Sequence, residues 1–232
     1  MKTIKTIYER LIAEYKPQGW WPLIGHDGKN PTKTGYVNGY HPEDYDFPKD
    51  NRQKYEICIG AILTQNTSWP NVEKALINLE KKGLIDPKKI DEISAGELGN
   101  LIRPAGYFNQ KAKKLKIFSK YFIDLDYRIP KREELLSLWG IGPETADSML
   151  LYAFRIPVFV VDAYTKRIFT NLGIIDPKDD YETIRKLFED NLEKDLVTFQ
   201  EYHALIVEHA KNFYRKKEDY SRCFLKNHND TI

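Results

Sequence analysis

The stretch LLSLWGIGPETADSMLLYA, residues 135–153, constrains this chain more than any other, because one apolar helical pattern runs into Gly140-Ile141-Gly142 and a second begins at once. This is a helix-hairpin-helix signature. Two glycines let a backbone turn tightly and bring its N–H groups against a phosphate, where a Cβ would obstruct. Ile141 would pin the turn to a core, and the start of the next helix adds partial positive charge facing a phosphodiester. Such a unit, with Gly140, Ile141, Gly142 and Thr145 as its candidate backbone-binding residues, grips DNA without reading its sequence. The plainer alternative for any G-x-G is a short connection between core helices. Leu138, Thr145, Ala146 and the segment that follows weigh against it here.

Helical spacing dominates the remainder. Ile4, Ile7, Tyr8, Leu11, Ile12 and Tyr15 mark an amphipathic helix over 3–16, ended by Pro17 and Gly19. From Trp20 to Asn51 the chain is rich in Gly, Pro, Asn, Asp and aromatic residues and shows no period, which reads as a long ordered loop or an insertion. Further helices are expected at about 52–63, 70–82, 95–103, 108–123, 131–138, 144–153, 163–172, 180–193 and 199–217. Ser94 and Glu97 have capping-box spacing, and Pro70, Pro143 and Asp162 stand where helices begin. Strand alternation is nearly absent, so the expected fold class is all-α.

Length and composition narrow the setting. With 232 residues, 41% of them hydrophobic, the chain can bury a core of its own. No run approaches the roughly 18 apolar residues of a membrane span, and the N-terminus lacks the apolar run of a signal peptide, so a cytoplasmic protein is the expectation. Cys58 and Cys223 lie far apart and are read as reduced thiols, and no cofactor or metal is called for. A net charge of +2, from 36 basic and 34 acidic residues, neither demands nor excludes a polyanionic partner.

In FVVDAYTKRIFTNLGI, residues 159–174, an apolar run delivers Asp162 to a helix start, where capping alone would explain an aspartate. A hairpin followed at this spacing by an aspartate resembles endonuclease III and its relatives, the helix-hairpin-helix DNA glycosylases, over about 52–175. The resemblance implies a two-lobed fold with the active site in the interlobe cleft. It also implies that Asp162 is the catalytic carboxylate, stabilising positive charge on the deoxyribose or orienting the attacking water. Thr145, Lys166 and Arg167 match family positions too, with packing or solvation as equally open roles.

Two departures stand out. The lysine nucleophile of bifunctional members, two residues beyond the second glycine, is replaced by Glu144, which cannot form an imine. The four cysteines of the family's iron-sulfur cluster are missing, and Cys223 alone cannot hold one. Both fit a narrower resemblance to bacterial 3-methyladenine DNA glycosylases that lack the cluster, carried by TrpTrpPro at 20–22, GAILTQNTSW at 60–69, IRPAGYFNQKAKKL at 102–115 and IVEHAK near the C-terminus. By position it implies that Gln65 wedges into the gap left by the flipped nucleotide, that Trp20 and Trp69 sandwich the base, and that Trp21 and Pro22 complete the pocket. An alkylated purine carries positive charge, which suits indole faces and makes it a good leaving group. For the tryptophans, anchoring of a loop or helix entry is the competing role, and for Gln65 a buried amide.

Lys111, Lys113, Lys114 and Lys116, together with Lys166 and Arg167, are placed for phosphate contact, though solvated helix faces also explain such runs. His203, His209 and His228 show no metal-ligand spacing and are read as structural or exposed. The expectation is a monomeric, monofunctional glycosylase that acts on double-stranded DNA containing an alkylated purine, with no strand cleavage. Its central lobe would span 52–156, and a second lobe would join 1–51 to 157–232. Two rivals remain: an endonuclease III-like or mismatch glycosylase with another base as substrate, and a non-catalytic hairpin module.

Overall fold

A computed structural model describes residues 3–226, so His228 lies outside the described residues. In chain order its helices are α1 (Ile4–Tyr15), α2 (Asn51–Thr64), α3 (Trp69–Lys81), α4 (Pro87–Glu92), α5 (Ala95–Leu101), α6 (Phe108–Asp124), α7 (Arg132–Ser137), α8 (Pro143–Ser148), α9 (Ala163–Asn171), α10 (Tyr181–Asp190) and α11 (Leu196–Phe213). Among the described residues there is no β-strand, and the fold is all-α. After α8 the chain continues as a π-helix, Met149–Ala153, where Phe154 N–H reaches back to the Met149 carbonyl.

The chain divides into two compact units, one of residues 20–156 and one joining the residues up to 19 with those from 157 onward. In the first, α2 is the central helix: every residue from Tyr55 to Leu63 is buried. Its neighbours α3, α6, α8 and the π-helix close round it. Arg132 clamps α7 to α8 through a two-pronged ion pair with the buried Asp147, at 2.7 and 3.0 Å.

Residues 20–51, expected with the terminal lobe, instead belong to the central unit. Isolated polar contacts hold this aperiodic segment there. Glu56 of α2 accepts the Ile24 N–H at 2.6 Å, Glu73 of α3 accepts the Tyr36 N–H at 2.6 Å, and Arg155 donates to the Tyr45 and Phe47 carbonyls. Burial pushes the Glu56 carboxyl up to about 7, against the opposing pull of that N–H and of Arg52.

In the terminal unit, α1 lays Ile4, Ile7 and Leu11 against α11, and Tyr202 Oη donates to the Ile4 carbonyl at 2.8 Å. Thr3 and Thr6 satisfy each other's backbone at the start of α1. The core is aromatic: Phe159 stacks on Phe188 at 4.1 Å between ring centres, with Phe169, Phe199 and Tyr202 edge-on around them. The last helix ends at Phe213 rather than near 217, and short 3-10 turns follow.

Candidate active site

The hairpin folds as its glycines require. Gly140 takes φ +82°, a conformation that L side chains resist, and Ile141, buried beneath the turn, donates its N–H to the Leu138 carbonyl at 3.1 Å. Gly142 needs no such freedom, and a Cβ built on it would meet nothing within 4 Å. Its smallness therefore matters only to something approaching from outside. Glu144 sits exposed in the first turn of α8, where a carboxylate favours the helix dipole.

Gln65 follows the end of α2 and lies over this turn. Its Nε2 donates to Thr145 Oγ1 at 2.9 Å and to the Gly140 carbonyl at 3.1 Å, while Lys114 Nζ donates to its Oε1 at 2.5 Å. The amide is thus held by the hairpin rather than extended as a wedge. Thr145 is buried, with its hydroxyl accepting from Gln65.

The lysine run also divides. Lys111 is 2% exposed and donates to the Leu63 and Ala105 carbonyls, both at 2.8 Å, and burial first, then Lys114, pull its ammonium down to about 8. Lys116 caps the segment after α4 through the carbonyls of Ile90, Asp91 and Ile93. Only Lys113, over the Trp139 ring at 4.3 Å, and Lys114 stand beside the hairpin. The other two are corrected to structural roles, because orphan carbonyls at helix ends claim them. Lys166 and Arg167 likewise donate to the Asp179 and Tyr214 carbonyls.

Trp20, Trp21 and Trp69 do gather in one cluster. Trp21 is buried, edge-on to Trp69 at 5.3 Å and to Tyr152 at 5.5 Å, with its indole over Gly60 where a Cβ would lie 3.1 Å from its Nε1. Trp20 meets Trp69 at 4.8 Å and 58°, and Tyr40 at 5.7 Å. Pro22 is buried beside them in sequence. A base between two ring faces needs them parallel and roughly 7 Å apart, two contacts of about 3.5 Å. The expected sandwich is therefore not formed, and the two indoles cover each other's apolar faces instead of meeting water. Trp69 is fixed by its Nε1 donating to Glu73 at 2.9 Å, whereas the buried Nε1 atoms of Trp20 and Trp21 find no acceptor among the described residues.

In the terminal unit, Asp162 caps α9 with extended backbone. Its Oδ1 accepts two bonds from Thr165, from the backbone N–H at 2.7 Å and the hydroxyl at 2.8 Å. The second oxygen, Oδ2, faces His203 Nε2 at 3.8 Å. Both residues are nearly buried, at 9% and 7% exposure. Burial lowers the proton affinity of His203, with Asp162 pulling the other way.

Several of these partners escape a reading of the sequence. Glu73 stands one helical turn after Trp69, a spacing that signals a shared face but not a hydrogen bond. Thr165, three residues after Asp162, completes the capping box. His203 has no sequence signal toward Asp162. The iron-sulfur cluster of endonuclease III does not fit this chain: Cys223 is the lone thiol of its region, buried with Sγ 3.1 Å from His209 Nε2 and accepting from Tyr214 Oη, while Cys58 lies within α2. Among the described residues no three His, Cys, Asp or Glu side chains are placed to hold a metal ion.

Residues 59–194 match the HhH-GPD superfamily of base excision DNA repair proteins. A Methanocaldococcus jannaschii protein provisionally named a DNA repair glycosylase is 43% identical over 235 residues, which cover 96% of this chain and 94% of that relative. The crystal structure of H. pylori 3-methyladenine DNA glycosylase bound to 1,N6-ethenoadenine is similar with a TM-score of 0.69 at 27% identity, over 90% of this chain and 98% of that one. A non-covalent endonuclease III–DNA complex shares the fold, with a TM-score of 0.72 at 19% identity over 97% and 94% of the two chains.

Proposed function

Because the chain belongs to the HhH-GPD superfamily of base excision DNA repair proteins, we propose that it is a monofunctional DNA glycosylase that flips an alkylated purine from duplex DNA and hydrolyses its N-glycosidic bond. The observation that carries the substrate class is the cluster of three indoles. Trp69 is fixed by Glu73 and Trp21 is packed on Gly60, so the flipped purine enters by displacing Trp20. A cationic base repays that displacement through the indole faces, at roughly 0.5–2 kcal/mol for each such contact. As the glycosidic bond breaks, the Oδ2 charge of Asp162 stabilises the developing positive sugar. A purine already charged leaves without an acid to protonate it. With Glu144 in place of a nucleophilic lysine, water completes the reaction and the strand stays intact.

The hairpin supplies sequence-independent grip through its backbone N–H groups. Gln65 reaches the duplex only by giving up its bonds to Thr145 and Gly140. A second reading, a glycosylase for a neutral oxidised or mismatched base, draws on the indole N–H groups of Trp20 and Trp21, which find no acceptor among the described residues and which a base with acceptor atoms would satisfy. One experiment decides between them: base release measured on duplexes carrying methylated purines, uracil, a mismatch or an oxidised pyrimidine, with borohydride added to trap any imine. Release confined to methylated purines with no trapped adduct is expected. Release only from neutral bases, or efficient trapping, overturns the proposal.

A further inference from the structure

We infer that His203 is a positioning residue that, with Asp162, holds the hydrolytic water. This rests on the reading of Asp162 as the working carboxylate of a hydrolytic glycosylase. Asp162 Oδ1 already takes two bonds from Thr165, so Oδ2 is the oxygen left for chemistry. His203 Nε2 stands 3.8 Å from Oδ2, beyond the reach of a direct hydrogen bond. One oxygen can meet both at about 2.8 Å each, with an angle near 85° between the two contacts.

The two side chains come from different helices, α9 and α11, which pack on each other, and Thr165 between Asp162 and the core is wholly buried. The pair is therefore fixed relative to one another before any substrate arrives. Burial lowers the proton affinity of the imidazole, with Asp162 pulling the other way. Glu201, two residues earlier on α11, is engaged elsewhere by the Gln18 and Gly19 N–H groups at 2.7 and 3.2 Å.

His203 Nε2–H donates to the water oxygen, and one water O–H donates to Asp162 Oδ2. The remaining lone pair on the water forms the bond to C1′ while the C1′–N bond breaks, its electron pair leaving with the purine. A cationic purine departs neutral, the sugar keeps the new hydroxyl, and the water proton passes to Oδ2 and then to solvent.

The test uses the full chain, a methylated-purine duplex and single-turnover base release, with DNA affinity and melting temperature measured alongside. His203→Leu should slow release about 10- to 100-fold without changing the DNA dissociation constant. His203→Gln, whose amide reaches the position of Nε2, should recover most of the rate. Where Leu unfolds the protein, His203→Asn, whose shorter amide cannot reach, takes its place against Gln. Release by His203→Leu or His203→Asn at the wild-type rate, or equal losses in Gln and Asn, overturns the inference while leaving the glycosylase reading intact. A wild-type protein that releases no base from any damaged duplex overturns both.

Discussion

Asparagine caps a helix as well as aspartate does, so Asp162→Asn separates charge from shape. The bond from Thr165 N–H survives in the variant, and its melting temperature should stay within a few degrees of wild type. Single-turnover base release should fall by about 100- to 1,000-fold, the usual loss when one transition-state charge partner goes. The hairpin glycines divide in a similar way. Gly142→Ala meets open space and should leave stability unchanged while weakening binding to every duplex sequence alike. Gly140→Ala, forced to φ +82°, should cost about 1 kcal/mol or more of stability before any DNA is added. Denaturant titration beside DNA binding separates the two. Asp162 and the glycines are legible because capping and turning leave local marks in the sequence. His203 and Glu73 are not, because their partners are chosen by tertiary packing.

Among the elements, the long amphipathic helices are legible from their apolar spacing, and α4 is not. Asp86 and Pro87 form a proper start for it, but Ile90 is its only buried residue, too little for a period to register. The segment 20–51 has no period at all, so its place in the central unit is invisible until Glu56 and Glu73 are seen to receive its N–H groups. The same anchoring sets a prediction for the indole cluster. Trp69→Leu frees Glu73 from its 2.9 Å partner and loosens a buried carboxylate as well as a ring face, so it should lower both melting temperature and base release. Trp20→Leu removes a ring whose N–H finds no acceptor among the described residues, and should lower release with less loss of stability than Trp69→Leu. If Trp20 meets a charged purine, its loss should also be larger for methylated purines than for any neutral base the enzyme removes. Equal melting losses in the two variants would contradict the anchoring by Glu73.

On the scale of the whole molecule, the two units carry buried titratable groups of opposite response. His209, in the terminal unit, is pushed down to about 4 from 6.5 by burial. The unfolded chain binds its proton first, so that unit loses stability as pH falls from 6.5 toward 4 and keeps all of it above 6.5. Glu56, in the central unit, is pushed up to about 7 from 4.5, so the unfolded chain releases its proton first, and the contribution of Glu56 to this unit is lost as pH rises from 4.5 to 7. Each shift amounts to about 3 kcal/mol at its limit. Hydrogen exchange at pH 5 and pH 7.5 should show protection moving in opposite directions at α11 and α2, with Glu56→Gln abolishing the change at α2. A common direction for both helices would refute it. The terminal unit has a consequence in time as well. α1 leaves the ribosome well before α11, and from Tyr15 to Leu196 the ribosome must add a further 181 residues. At translation speeds of about 5–20 residues per second, the face of Ile4, Ile7 and Leu11 waits roughly 10 to 40 seconds for its partner, while residues 20–156 can close as soon as they emerge. The burden of shielding the nascent chain therefore falls on one short helix whose partner is made much later.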